Sequence, residues 1–411
     1  MKTAADFELT DPAVMECPYD FYTALRRDAP VYKSPNLPFY IVSRYDDIMQ
    51  ALRDVDTFSS KISSMRPNPI PPEIVEIHET EGWGKRREVL LTNDPPEHTL
   101  YRSLVDRAFT GKRVRQMEGY MNEIVDQLID GFIDDGKAEI LSQFAVPLPL
   151  TVIADQLGVS REDMEKFKEW SDAAVAPLGM TLTREREIEC ARLIIEMYHY
   201  FAERIEERRQ NPKDDIISDL VHAKLDSGQP LTEKEILSIL QSLLVAGNET
   251  TTNAIASGVR LLIENPDQIE KVRSNEKLLR NMVEEILRLE SPAQGLFRVV
   301  KRDTELGGVH LPKGATINLR YGAGNRDEEK YENAAQMDVD RNNSGSHLAF
   351  GAGIHHCIGA LLARQEMLCA FRALLDRIDD IQLNPNKPAP VHHPGITFRG
   401  LEHLHITFTK R

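Results

Sequence analysis

Sulfur is scarce and unpaired in this sequence of 411 residues. Its cysteines, Cys17, Cys190, Cys357 and Cys369, form no C-x-x-C pair, so neither a zinc knuckle nor a disulfide framework is suggested. A reducing compartment fits that usage. Basic charge is in deficit as well: 50 Lys and Arg against 65 Asp and Glu give a net charge of −15. Nucleic-acid binders need a concentrated basic face, and that class is set aside. Long apolar runs are missing. The stretch 140–154 is uncharged and largely apolar, but it holds two prolines and falls short of the roughly 20 residues a membrane span needs. The stretch 342–363 also lacks acidic and basic residues, yet is too rich in Gly, His, Asn and Ser to sit in lipid. At the N-terminus, Lys2 and Asp6 bring charge too early for a signal-peptide core. A soluble, cytoplasmic protein with no membrane span is expected.

Repeats, Gly/Ser linkers and biased segments are absent too, which predicts one domain over 1–411. Periodicity predicts helices over 99–108, 115–134, 161–175, 184–209, 214–225, 232–263, 276–289 and 358–375. Short strands are predicted over 39–42, 297–301, 315–319 and 403–409. The stretch 63–91 contains four prolines and reads as an irregular surface excursion. The fold class is therefore mainly α with small β-sheets.

The clearest helix starts at Thr232, where Thr232 and Glu235 have capping-box spacing, and stops at Asn265-Pro266. About 32 residues would span roughly 48 Å, enough to cross a whole core. Ile236, Leu240, Leu243, Leu244 and Gly247 make an apolar stripe along it. Asn248-Glu249-Thr250-Thr251-Thr252 at its midpoint is out of character, because buried polar groups cost free energy unless satisfied.

The sharpest motif is Phe350-Gly351-Ala352-Gly353-Ile354-His355-His356-Cys357-Ile358-Gly359. Gly351 and Gly353 permit a tight loop with backbone close to a ligand. Cys357 stands where a helix is predicted to begin, so amide dipoles favour a thiolate, one of the few axial ligands proteins offer to haem iron. A small core side chain is the competing reading of Cys357, but the loop glycines and the helix start beside it favour the haem ligand. A zinc site from His355, His356 and Cys357 lacks a fourth ligand, and the glycines miss the dinucleotide spacing.

The decapeptide matches every fixed position of F-x-x-G-x-x-x-C-x-G and so resembles the haem-binding signature of the cytochrome P450 family. Matching motifs run from about Pro18-Tyr19 to the signature. The resemblance implies the cytochrome P450 fold, with the long helix crossing the haem pocket. It implies haem b, Cys357 as the iron ligand, and Phe350, Gly351 and Gly359 against the cofactor. Glu285-Ile286-Leu287-Arg288 resembles the family's E-x-x-R motif, with Arg341 as its third partner; all three would be scaffold residues. Met337 stands where many members have phenylalanine.

Ala246-Gly247-Asn248-Glu249-Thr250-Thr251 resembles the family's segment for binding dioxygen beside the haem. Thr250 there matches the hydroxyl that steadies dioxygen, and Glu249 the acid of the proton route. A plain helix would instead bond the Thr250 hydroxyl back to the Ala246 carbonyl. His98, Arg102, Arg298 and His355 match residues that hold the haem propionates, which need charge-assisted donors. Tyr321-Gly322-Ala323-Gly324-Asn325-Arg326-Asp327 resembles a structural N-R-D segment.

The activity so implied inserts one atom of dioxygen into a lipophilic small molecule: a terpenoid, steroid, fatty acid or aromatic. Leu243, Leu244, Leu296, Phe297 and Ile396 are the expected pocket, within the segments 63–91, 173–182, 243–249, 293–297 and 394–397. Electrons would come from NAD(P)H through a separate ferredoxin and ferredoxin reductase, with Lys112, Arg113 and Arg115 as a docking site. Two alternatives stay open: a peroxide-driven or oxidative-coupling haem enzyme, and a non-catalytic haem sensor or carrier. Turnover with peroxide alone would favour the first, and haem binding without turnover the second.

Overall fold

The computed structural model describes residues 2–62, 70–84, 86–179, 182–225 and 228–411. Its first part comprises α1 (Pro12–Glu16), α2 (Tyr19–Asp28), β1 (Val31–Lys33), β2 (Tyr40–Val42), α3 (Tyr45–Arg53) and β3 (Phe58–Ser59). A helical part follows: α4 (Pro72–Thr80), α5 (Glu97–Val105), α6 (Gly111–Gln116), α7 (Glu118–Asp130), then β4 (Lys137–Glu139) and α8 (Pro147–Gln156). It continues through α9 (Met164–Val175), α10 (Arg184–Gln210), α11 (Ile216–His222), α12 (Glu233–Glu264), α13 (Pro266–Ser274) and α14 (Leu279–Glu290). The last part holds β5 (Leu296–Val300), β6 (Thr304–Leu306), β7 (Val309–Leu311), β8 (Thr316–Leu319) and α15 (Tyr321–Gly324). It closes with α16 (Ala360–Arg377), β9 (Ile378–Leu383) and β10 (His405–Lys410). Helices dominate and the sheets are small, as the periodicity requires.

Helix α12 organises the rest. Thr232 Oγ1 accepts from the Glu235 amide while Glu235 Oε2 accepts from the Thr232 amide, so the capping box is closed. Asn265 ends the helix and Pro266 opens α13. Between those ends Ile236, Leu240, Leu244, Ile255 and Val259 are buried in one large apolar cluster with side chains of α7, α8, α9, α10, α14 and α16. Fully burying one such side chain stabilises the fold by about 1.5–3 kcal/mol, so the stripe holds α12 in the middle.

The larger sheet has the strand order β1-β2-β8-β5-β3. β2 runs parallel to β8, and β5 pairs antiparallel with it, with Arg298 opposite Ile317. Alternation along β5 turns Leu296 and Arg298 to one face and Phe297 to the other, where its ring meets Phe39 with centroids 5.0 Å apart. A second sheet is ordered β4-β10-β9 and a third pairs β6 with β7.

Two expected elements come out differently. Within 63–91 the residues 63–69 and 85 lie outside the described ones, but 72–80 form α4. Pro71 is its N-cap and Pro72 its first residue, a place where a missing N–H costs nothing, so the prolines start a helix there. The helix expected over 115–134 is broken at Met117, whose amide bonds back to the Arg113 and Val114 carbonyls and closes α6 before α7 begins. Among the described residues no helix is long and apolar enough to cross a membrane.

Candidate active site

The segment before α16 folds into a tight loop. The Cys357 amide donates to the Phe350 carbonyl at 2.9 Å and the Gly351 amide to the Leu348 carbonyl at 2.8 Å. Gly351 and Gly353 both have left-handed φ, +63° and +69°. A Cβ on Gly353 would sit 2.6 Å from the Leu52 carbonyl oxygen, so side chains are excluded there by space as well as by φ. Burial pushes the Cys357 thiol up, against a hydrogen bond from the Gly359 amide and the charges of Arg102 and Arg364. A thiolate held there calls for a further positive partner. α16 begins at Ala360, two residues later than the periodicity suggests.

Beside this loop stands a cluster of cationic and imidazole groups. The rings of His98 (on α5) and His355 have centroids 4.1 Å apart. His98 Nδ1 and His355 Nε2 are buried without a hydrogen-bond partner. Burial, with Arg298, His98 and Arg102 nearby, lowers the His355 pKa to about 3. Arg298, only 4% exposed, donates to the Phe297 carbonyl at 2.7 Å. A buried guanidinium with so little compensation suits an incoming anion. Arg102 differs: it bonds Asp106 at 2.7 Å and the His356 carbonyl at 2.8 Å, tying α5 to the cysteine loop.

The middle of α12 is the open part of that helix. Ala246 is exposed, and Val245, Gly247, Glu249 and Thr250 are half-buried, although the helix is buried on either side. Thr250 Oγ1 donates to the Ala246 carbonyl at 2.8 Å, leaving its lone pairs free to accept. Gly247 faces α8, where a Cβ would lie 3.3 Å from Ile153. The buried polar side chains nearby are satisfied across helices. Asn248 Nδ2 donates to Ser171 Oγ of α9 at 3.1 Å, and Thr252 Oγ1 to the Ala145 carbonyl at 3.1 Å.

Comparison with known proteins agrees with this geometry. A family model, Cytochrome P450, matches residues 179–394. The polyketide biosynthesis cytochrome P450 PksS of Bacillus subtilis is 34% identical over 401 residues, which is 96% of each chain. The cytochrome P450 monooxygenase PikC of Streptomyces venezuelae is 35% identical over 399 residues, 96% of this chain and 91% of that one. The solved structure of CYP109Q5 from Chondromyces apiculatus superposes with a TM-score of 0.86 at 34% identity, covering 100% of both chains. The chain belongs to the cytochrome P450 family.

Membership makes this P450 a monooxygenase and implies a haem-iron cofactor. The residues present fit one. A lone thiol in a glycine loop, two orphaned imidazole nitrogens beside a buried guanidinium, and an opened helix face offer a metal ligand, anion donors and room for a flat group. Zinc is a poorer match: among the described residues no three His, Cys, Asp or Glu are grouped to hold an ion.

The E-x-x-R residues of this P450 meet as expected. Arg288 Nε and Nη2 reach Glu285 Oε1 and Oε2 at 2.6 and 2.8 Å, and Arg341 Nε stands 3.1 Å from Glu285 Oε1. Glu285 and Arg288 are fully buried. Arg288 also donates to the Asn325, Ala334 and Gln336 carbonyls, pinning the chain ahead of the cysteine loop. Asn325 links Ser291 to the Leu348 amide, and Asp327 accepts from the Tyr45 amide. Met337 is 6% exposed in the main core.

The expected pocket residues are dispersed. Leu243 and Leu244 lie in the main apolar cluster, Leu296 against the cluster under the large sheet, and Phe297 with Ile396 in a third. Strand alternation is the reason Phe297 parts from Leu296. Of the basic run on α6, Lys112 and Arg115 are exposed, while Arg113 pairs with Asp214 and Asp219.

Three residues escaped the sequence reading. Glu366 on α16 is 2% exposed beside Thr251, and burial raises its pKa to about 8. Glu284, next to the E-x-x-R glutamate, holds His347 and Arg364. Asn253 donates to Glu249 at 3.2 Å. The i,i+4 spacing of Glu249 and Asn253 was the one signal available beforehand.

Proposed function

We propose that this P450 is a haem-thiolate monooxygenase that oxidises a lipophilic small molecule at one site built around residues 1–411 as a single haem domain. The observation that carries the reading is the pairing of His98 with His355 beside buried Arg298, three donors converging next to the Cys357 loop. In this reading His98, Arg298 and His355, flanked by Arg102, hold the propionates of haem b, and Cys357 ligates the iron. Phe350, Gly351, Gly359, Ala246 and Gly247 shape the space for the ring.

The haem, when bound, supplies reductive activation of dioxygen. The chain's own part is positioning and proton control. Thr250 can accept at its hydroxyl oxygen while its O–H donates to the Ala246 carbonyl. Glu249, half-buried at the helix opening, can take a proton from solvent and pass it inward. Leu243, Leu244 and Leu296, the last on the Arg298 face of β5, remain the proposed apolar surroundings of the substrate, while Phe297 and Ile396 pack in a separate cluster; a polyketide-like, steroid or fatty-acyl skeleton suits such a lining.

Electrons would come from NAD(P)H through a ferredoxin reductase and a ferredoxin. The exposed Lys112 and Arg115 lie on α6, and exposed Leu361 approaches Gly111 of the same helix. Basic groups around an apolar side chain match an acidic one-electron carrier. The test is turnover of lipophilic probes under labelled dioxygen with ferredoxin, its reductase and NADPH. One labelled oxygen atom per product molecule supports the reading. Oxidation by hydrogen peroxide alone, with none through the reductase, contradicts it.

A further inference from the structure

Glu249 forms no ion pair among the described residues, so its half-buried carboxylate takes its orientation from hydrogen bonding. Its hydrogen bond comes from Asn253, one turn along α12, whose Nδ2 donates to Glu249 Oε1 at 3.2 Å. Asn253 is 3% exposed, so its amide is fixed by what surrounds it.

What lies against that amide is backbone. A Cβ placed on Gly400 would sit 2.1 Å from Asn253 Oδ1, 2.4 Å from Cγ and 2.8 Å from Nδ2. Only a residue without a side chain leaves room for the carboxamide. The Gly400 segment is itself anchored. The Gly400 carbonyl accepts from the His393 amide at 2.9 Å, and the Arg399 amide donates to the Pro292 carbonyl at 2.9 Å. Two further bonds extend the anchorage: the Gln294 amide donates to the Thr397 carbonyl at 2.8 Å, and Thr397 Oγ1 to the Leu178 carbonyl at 3.1 Å.

We propose that Asn253 is a positioning residue for the monooxygenase reaction: wedged against the Gly400 backbone, it holds the Glu249 carboxyl in the one rotamer from which protons are delivered. The inference rests on the reading of Glu249 as the acid of the proton route. It adds a device outside that motif, in which a loop distant in sequence sets the aim of the acid. Asn253 touches neither substrate nor haem in this account; it acts through Glu249 alone.

The test compares Asn253→Asp and Asn253→Leu with Glu249→Gln and with the double variant Glu249→Gln/Asn253→Leu. Each is reconstituted with haem, ferredoxin, reductase and NADPH, using a C16 fatty acid or a steroid, whichever the wild type oxidises better. The readout is product formed per NADPH consumed, alongside the probe's dissociation constant from its spectral shift. We expect both Asn253 variants to lower coupling by about threefold or more, with the dissociation constant unchanged. Asn253→Leu should have no further effect once Glu249 is Gln, a result that general damage to the helix would not give. Asn253→Asp is nearly isosteric and keeps the comparison available where the leucine does not fold.

Wild-type coupling in both Asn253 variants, with coupling lowered in Glu249→Gln, overturns the inference and leaves the role of Glu249 standing. Wild-type coupling in Glu249→Gln overturns both. Equal losses from Asn253→Leu with and without Glu249 would also overturn it, by showing a purely structural role.

Discussion

Glu284 receives Arg364 through two parallel bonds, Nε to Oε1 at 2.6 Å and Nη2 to Oε2 at 2.9 Å. Arg364 in turn lies over the Phe350 ring, 4.4 Å from its centroid, and Phe350 opens the cysteine loop. His347 Nε2 stands 2.9 Å from the same carboxylate. The loop is thus clamped from α14 and α16 at once. Despite the cost of burial, His347 and Arg364 bring the Glu284 pKa down to about 2.

A carboxyl whose pKa is lowered on folding stabilises the fold above its ordinary range, and that contribution disappears as pH falls from about 4.5 towards 2. Glu284→Gln is expected to lose up to about 3.5 kcal/mol at pH 7, from roughly 1.4 kcal/mol per pKa unit over the fall from 4.5 to about 2. Urea unfolding at pH 7 and pH 3 checks this: the gap between wild type and variant should narrow at the lower pH. An unchanged gap would show that the effect is packing rather than charge.

Glu366 behaves in the opposite sense. Its pKa is raised to about 8, so the buried carboxyl stays protonated while the unfolded chain ionises above about 4.5. Its contribution is present at low pH and is lost as pH rises towards 8. Wild type should therefore lose about 1.4 kcal/mol per pH unit relative to Glu366→Gln across that interval. Thermal melts of both proteins at pH 5.5 and 7.5 decide it, and parallel behaviour would contradict a neutral Glu366.

The buried Glu285–Arg288 pair makes a sharper mutational prediction. Arg288→Met removes the bidentate partner of a fully buried carboxylate, leaving it Arg341, and takes a donor from each of three carbonyls, a loss expected at about 3 kcal/mol. Arg341→Lys keeps the charge near Glu285 and should be milder. Recovery of haem-loaded soluble protein from parallel preparations ranks the two. Equal recovery would remove Arg288 from the scaffold.

Haem retention tests the cationic cluster. Arg298→Met removes a buried charged donor, and hydrogen bonds to charged groups are worth about 1.5–3 kcal/mol, so haem should leave about tenfold faster or more. Transfer of haem to excess apomyoglobin measures the rate. A wild-type rate would place the carboxylates of the cofactor elsewhere.

Much of this architecture was legible before the fold was known, where local chemistry decides the outcome. Thr232 with Glu235 announced the start of α12 and Pro266 its end, because caps and prolines act within one turn. Gly351 and Gly353 announced the loop, since their φ values suit glycine. What stayed hidden depends on neighbours distant in sequence. α8 is apolar nearly all round, so it has no periodic stripe, and its two prolines fall in the first turn, where they are harmless. The prolines before α4 misled for the same reason. Glu366, Glu284 and Asn253 are ordinary helical polar residues until Thr251, Arg364 and the Gly400 backbone are brought against them.

The most direct measurement is the absorption difference spectrum of the reduced, haem-loaded protein with and without carbon monoxide, repeated on Cys357→Ser. Thiolate ligation by Cys357 predicts a Soret band displaced far to the red in the wild type and its loss in the variant. A histidine-type band in the wild type, or an unchanged band in Cys357→Ser, would contradict the account.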